Sequence, residues 1–198
     1  MLMQIFSHTF FGVAAPIFSI IAFIPYIRAI YKKETKPSGA SWWTWTFINF
    51  VALASSRYAG APWQVLLLPI WFCLSQIYIA ILSTKYGDNN WDFGNKLCVA
   101  GACVGVALWI ITGQPLLALI ISIIADIFAS IPNFRHVWTN PEQENRLGWT
   151  LGWGGIIFGV LAVSEWSLAE ASLPIYFFLN STVVVLSIWR PAFKKLVS

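Results

Sequence analysis

The sequence predicts an all-α membrane protein of seven transmembrane helices, built as two parallel three-helix repeats joined by a connecting helix. Three observations carry that prediction. Hydrophobic residues make up 58% of the 198 and charged residues only 10%, with a mean hydropathy of +0.70, a balance that ordinary soluble domains do not have. Apolar residues gather in seven stretches, at roughly 6–30, 41–58, 62–83, 97–112, 115–137, 148–164 and 171–189. Each approaches the ~20 residues that a helix needs to cross the hydrocarbon core. The third observation is that the chain repeats itself.

The repeat is read directly from the residues. Phe23-Ile24-Pro25-Tyr26-Ile27-Arg28 in the first stretch aligns with Ser130-Ile131-Pro132-Asn133-Phe134-Arg135 in the fifth. At the same offset Trp42 falls on Trp149. With the offset shortened by two, Leu68-Pro69-Ile70-Trp71-Phe72-Cys73-Leu74-Ser75 aligns with Leu173-Pro174-Ile175-Tyr176-Phe177-Phe178-Leu179-Asn180. An ordered series of matches, with proline at equivalent places in an apolar chain, points to a transporter whose solute site lies between its repeats.

The elements follow in order. The first stretch has no Lys or Arg before it and is too long for a signal-peptide core, so it is a retained helix. The second opens on Trp42 and Trp43, and the third carries Pro69. The fourth is short and is the odd helix that two parallel repeats need to restore orientation. Its Gly101-x-x-x-Gly105 suits close helix contact. The fifth, the short sixth and the seventh repeat the first three. The polar segments 31–40 and 138–147 link the first two helices of each half. The divisions are therefore 1–84 for the first bundle, 85–113 for the connecting loop and linker helix, and 114–198 for the second bundle. Backbone groups in lipid must bond within their own segment, which favours helices, and no alternating strand pattern appears.

Charge placement sets the expected orientation. With the N-terminus outside and seven spans, Arg28, Lys32, Lys33, Lys36, Lys85, Lys96, Arg135, Arg146, Arg190, Lys194 and Lys195 all fall on the cytoplasmic side. Only Arg57 falls outside, as the positive-inside rule requires. The net charge of +4 then reflects anchoring at anionic headgroups. The C-terminus is expected in the cytoplasm, and the short loops suggest a bacterial inner membrane. Cys73, Cys98 and Cys103 all lie within predicted spans; an odd number of buried thiols argues against a disulfide framework and suits small apolar filler.

At Phe23-Ile24-Pro25, followed by Lys33-x-Thr35-Lys36 and Ser41, the chain resembles the PQ-loop superfamily, which includes the SWEET and SemiSWEET sugar transporters. Tyr58-x-Gly60 and Pro69-Ile70 are similar to residues of SemiSWEET-like chains. The resemblance covers nearly the whole chain. It implies a 3+1+3 layout, rocking of two bundles about the prolines, and a small solute bound at the midplane. Two departures stand out. Tyr26 and Asn133 replace the glutamine that gives the superfamily its name, and Ser55 and Ala162 stand where the family's sugar-stacking tryptophan would fall. The family's paired asparagines correspond to Ser75 and Asn180. Nicotinamide riboside transporters share a similar duplicated, aromatic-rich architecture.

Within that frame certain residues are expected to line the site. Asn180 offers donors and an acceptor in lipid-excluded surroundings, with Ser75 at its counterpart position. Trp45 and Asn49 lie four apart on the second helix, and Trp153 lies deep on the sixth. Aromatic faces of this kind stack on planar or sugar-like solutes. Most of the twelve tryptophans, among them Trp42, Trp43, Trp63, Trp149 and Trp166, belong instead to interfacial belts.

Asp126 is the one acid deep within a predicted span. A charge there costs on the order of 2.5–3.5 kcal/mol on insertion scales, so it needs a partner, a wet cavity or a proton. It is therefore a proton-coupling candidate, with Ser122, Ser130 and Asn133 on its helix face. Its repeat counterpart is Ser19. Pro25, Pro132, Pro69 and Pro174 remove backbone hydrogen bonds and are expected to act as hinges.

The expected function is a transporter moving a small polar solute, such as a sugar or metabolite, by alternating access, either passively or coupled to protons. The alternatives are a vitamin-precursor transporter, or a receptor or sorting protein of the same fold. An enzyme is not expected: no HExxH, paired carboxylates or Ser/His grouping is present. The expected partners are a small-molecule solute, the lipid bilayer and a possible homo-oligomer. Nucleic acid, cofactors and metal are not called for.

Overall fold

The computed structural model describes residues 2–33, 37, 39–87, 89, 91, 93–139, 141 and 146–197, leaving out the side chains of 2–6, 41, 132, 133, 135, 136 and 193–197. Seven helices account for nearly all of them: α1 (Leu2–Tyr31), α2 (Gly39–Tyr58), α3 (Trp63–Tyr86), α4 (Phe93–Thr112), α5 (Pro115–Thr139), α6 (Arg146–Leu161) and α7 (Leu168–Val197). No strand occurs among the described residues.

Four segments are long and apolar enough to cross a membrane: Ser7–Tyr31, Trp63–Tyr86, Phe93–Thr112 and Leu168–Ala192. They are compatible with an integral membrane protein. In α5 the apolar run is shorter, Pro115–Ile131, and α6 has only 16 residues. The case of α2 is different, because its polar residues point inward. Thr44, Thr46, Asn49, Ser55 and Ser56 are all buried, while Phe50 on the opposite face is exposed. In lipid, this distribution lowers mean hydropathy without placing polar groups against hydrocarbon.

The apolar stretches coincide with the helices, but α1 and α7 run longer than their stretches, at 30 residues each. Such a helix is about 45 Å long, well beyond the ~30 Å hydrocarbon core. The helices continue through Pro25, Pro69 and Pro174, and also through Pro16 and Pro191. Each proline removes one backbone bond and leaves a softer point in the rod. Pro132 falls within the bounds of α5, but its side chain is outside the described residues.

The packing order is not the sequence order. α3 packs on both α1 and α2, and α7 packs on both α5 and α6. Side chains bridge α1 and α2 across α3, as where Tyr26 meets Trp42 with ring centroids 5.6 Å apart. α1 also packs on α6 and α2 on α5, while α4 lies against α5 and α2.

Glycine allows the closest of these approaches. A Cβ on Gly155 of α6 would sit 2.6 Å from Ser19 Oγ and 2.9 Å from the Ala15 carbonyl oxygen of α1. A Cβ on Gly159 would sit 2.7 Å from Leu68. In α4 it is Gly105, against Ile121 at 3.2 Å, that needs its missing side chain; Gly101 has ordinary clearance to Ala125 at 3.8 Å. Gly155→Ala should therefore force α6 away from a backbone that cannot yield, costing about 1–3 kcal/mol. A thermal unfolding scan of the purified variant checks this, with a lowered midpoint expected.

The apolar clusters are unevenly shared. Toward the N-termini of α1, α3, α5 and α7, one cluster joins Ala61, Val65 and Leu66 to Ala162, Val163 and Ala171. A second joins Ala15, Ala52 and Leu68 to Leu119, Ile156, Leu173, Tyr176 and Phe177. Toward the opposite end, Ile30, Ile79 and Leu82 form a cluster of α1 and α3, with Trp42 of α2 packed against it. Val137, Val184 and Ile188 form another of α5 and α7, with Trp149 of α6.

Two features correct the sequence reading. Cys73 and Cys98 are buried, but Cys103 is exposed, because α4 packs on α5 and α2 alone and turns its other face outward. Glu170, in the first turn of α7, is a second buried carboxylate at 3% exposure. It accepts hydrogen bonds from the Ser164 N–H, from Ser164 Oγ (2.9 Å) and from the Glu165 N–H (3.1 Å), and so fixes the α6–α7 connection.

Candidate functional site

A buried polar constellation lies on the seam between α5 and α7. These helices run parallel, so residues four apart on each face one another in step. Asp126 and Ser130 on α5 meet Tyr176 and Asn180 on α7. The Tyr176 hydroxyl donates to Asp126 Oδ2. Asn180 Nδ2 donates to Ser130 Oγ at 2.9 Å and to the Tyr176 hydroxyl at 2.8 Å. Asp126 is 7% exposed, and Ser130 and Tyr176 are buried as well.

The chain of bonds is incomplete at one end. Asp126 Oδ1 is buried without a hydrogen-bond partner, and so is Ser122 Oγ one helical turn earlier on α5. Eight buried side-chain polar atoms are unpartnered among the described residues, Ser19 Oγ and Trp71 Nε1 included, and Asp126 Oδ1 is the one that belongs to a carboxylate. The described basic side chains offer it no counter-charge. Arg28, Lys32, Lys33, Arg57, Lys85, Lys96 and Arg146 sit at or beyond helix ends. Arg190 donates instead to the Trp138 carbonyl at 2.9 Å and lies over the Trp138 ring.

The expected site residues are distributed unevenly. Asn180 and Asp126 belong to one network. Trp153 is close by on α6, where its indole N–H donates to Thr182 Oγ1 at 2.8 Å and its ring stacks on Phe178. Asn49 is 4% exposed and its amide donates to the Trp45 carbonyl at 3.0 Å, one turn back on α2. The Trp45 ring meets Trp42 edge to face. Ser75 is buried and donates to the Phe72 carbonyl at 3.0 Å. Ser75 thus bonds within α3, whereas Asn180 bonds to α5 and within α7. Asn133, expected on the Asp126 stripe, is outside the described side chains.

Tyr176 is the member that the Asp126 face alone did not reveal. Its signal was present in the repeat, where Tyr176 replaces Trp71 four residues before Asn180. At the equivalent seam of α1 and α3, Ser19, Phe23, Trp71 and Ser75 occupy the places of Asp126, Ser130, Tyr176 and Asn180. There Phe23 and Trp71 meet edge to face, with centroids 6.1 Å apart.

A separate open groove of about 320 Å³ is lined by Phe134, Trp138, Thr139, Val183 and Ser187. Ser187 Oγ is already spent on the Val183 carbonyl, so the groove presents an apolar wall, suited to an acyl chain rather than a polar solute. No group of three or more potential metal-ligating residues occurs among the described residues. No family model, curated protein or solved structure matches the chain.

Proposed function

We propose that the protein is a membrane carrier of a small polar solute, in which two three-helix halves, α1–α3 and α5–α7 joined by α4, rock about a pseudo-two-fold axis. The observation that carries this reading is a contact between repeat counterparts. Phe72 and Phe177 occupy matched positions, and their rings pack edge to face with centroids 5.0 Å apart. A residue that touches its own counterpart lies on the axis relating the two halves, as at any isologous interface.

The helix packing supports the same symmetry. Exchanging α1, α2 and α3 for α5, α6 and α7 turns α1 on α6 into α5 on α2, and turns α3's contacts into α7's. Parallel repeats of this kind carry an axis along the membrane normal, with the solute site near the midplane. The α5–α7 network and its α1–α3 counterparts flank that axis. Asn180 donates both of its bonds from Nδ2, which leaves its carbonyl oxygen for a solute donor.

Orientation comes from charge. The end where α1, α3, α5 and α7 begin is the outer one, since Arg57 is its only lysine or arginine. The outer end is sealed by clusters drawn from both halves. Two hydrogen bonds also cross between the halves there, from Ser56 Oγ to the Ala169 carbonyl at 2.9 Å and from His8 Nδ1 to the Leu161 carbonyl at 3.1 Å. The inner clusters of Ile30 and of Val137 each belong to one half, while Ile48, Cys98, Ala102 and Ala125 join α2 to α5 through α4 nearer the middle. This distribution fits a carrier closed to the outside, with inner ends that can part while the outer seal holds.

Topology has its own test. A cysteine placed at position 33 should react with an impermeant thiol reagent only from the cytoplasmic face of inside-out vesicles; reaction from outside would overturn the orientation. The function itself is tested by flux. A thermal-shift screen of sugars, nucleosides, amino acids and vitamins selects a solute, and its saturable uptake into sealed proteoliposomes is the expected result.

A further inference from the structure

We propose that Asp126 is a proton-binding site confined to the second half, and that Tyr176 and Asn180 are positioning residues that link its protonation to the α5–α7 seam. The inference rests on the carrier reading for its purpose, but its evidence is the local geometry. Oδ2 accepts from the Tyr176 hydroxyl, while Oδ1 is buried and empty-handed. Nothing in the described surroundings neutralises the carboxylate.

α5 packs on α2, α4 and α7. From α7 the titratable group that reaches Asp126 is Tyr176, whereas Glu170 and Arg190 lie more than a turn away toward the two ends. From α2 the titratable residues are Arg57 and Tyr58, both exposed at its outer end. From α4 the group nearest by packing is Cys98, clustered with Ala125; Lys96 and Cys103 are on exposed positions. An acid held in lipid-excluded surroundings, with no cation beside it among the described side chains, is best neutralised by a proton.

The repeat separates a functional reason from a structural one. The α1–α3 seam has the same helices at the same positions, yet it is closed by Ser19, Phe23, Trp71 and Ser75, none of them an acid. The fold does not need a carboxylate at this place. The second half has one, together with a phenol and a carboxamide arranged to hold it.

The proton step is simple to balance. A proton from the aqueous phase on one side adds to Oδ1, forming one O–H bond and discharging one carboxylate. That O–H then needs an acceptor; Ser122 Oγ, also unpartnered one turn away on α5, makes no hydrogen bond to Oδ1 in this structure and would have to turn toward it to accept. On the other side of the membrane the same proton leaves Oδ1 for water. Oδ2 keeps its bond from Tyr176 in both states, so the change at Oδ1 is conveyed along Tyr176 to Asn180 and Ser130.

The test uses the proton as its probe. Infrared difference spectra of the purified full-length protein, recorded between acid and alkaline buffers, should contain a protonated-carboxyl C=O band. The band should be absent in Asp126→Asn, retained in Glu170→Gln, and shifted in Tyr176→Phe, which removes the hydrogen bond to Oδ2. A band that persists unchanged in Asp126→Asn, or one lost in Glu170→Gln and unmoved in Tyr176→Phe, would overturn the proposal. If Asp126→Asn does not fold, the Glu170→Gln and Tyr176→Phe spectra still decide it. The readout needs no solute, so a protein that shows the band and moves no solute refutes the carrier reading alone.

Discussion

Asp126→Asn is expected to abolish accumulation driven by an inward proton gradient while leaving exchange of solute down its own gradient. Asparagine has the shape and neutrality of the protonated acid but cannot release a proton, so it fixes the network in one of its two states. A coupled carrier shifts between conformations only by the differential free energy that its ligands supply. With the proton removed from that balance, the two directions become equivalent and uphill transport ends. Uptake into proteoliposomes with and without a pH gradient measures this for wild type and variant. A gradient-stimulated wild type beside an indifferent variant is the expected outcome. Equal rates in all four conditions would make the protein a passive facilitator.

Asn180→Ala should weaken solute binding by about 1–3 kcal/mol, roughly 5- to 150-fold in the dissociation constant. Two losses combine. The carbonyl oxygen available to the solute disappears, and Ser130 Oγ and the Tyr176 hydroxyl lose the Nδ2 donor that orders them. Asn180→Asp, which keeps the shape, loses both donated bonds and brings a second carboxylate close to Asp126, so it should fare no better. Binding by isothermal titration, with thermal stability recorded in parallel, checks the first variant. Undiminished affinity at unchanged stability would reduce Asn180 to an interhelical fastener.

The helices were legible because each apolar stretch of the sequence coincides with one of them. Matched prolines and the Leu68–Ser75 and Leu173–Asn180 segments already placed α3 and α7 in equivalent positions. The ends were less so. α7 continues past its apolar stretch through Arg190 and Pro191 to Val197, where hydropathy no longer reports a helix and Arg190 donates to the Trp138 carbonyl of α5. The partner of Asp126 was not on the Asp126 stripe, because facing residues on parallel helices are set by packing rather than by spacing within one helix. Tyr176 could have been found by asking where the repeat exchanges an indole for a phenol beside an asparagine. Glu170 had a signature of its own, Ser167 and Glu170 three apart before an apolar run. The Ser167 hydroxyl does accept from the Glu170 N–H at 3.3 Å. Yet the carboxylate turns back to the α6–α7 connection, a tertiary choice that the local pattern does not contain. Exposure of Cys103 likewise depends on which helices cover α4.

The proposed carrier parts its halves at the inner ends while the outer contacts hold. Joining the halves at the Ser56–Ala169 contact by a pair of cysteines should stop the cycle at the outer seal, and reduction should restore it. The most direct test is solute uptake into sealed proteoliposomes by the protein with that cross-link formed and then reduced. The carrier reading predicts saturable uptake in the reduced protein and none in the oxidised one. Tight binding of the same solute with no uptake under either condition would contradict it, and would make the protein a receptor built on a carrier's fold.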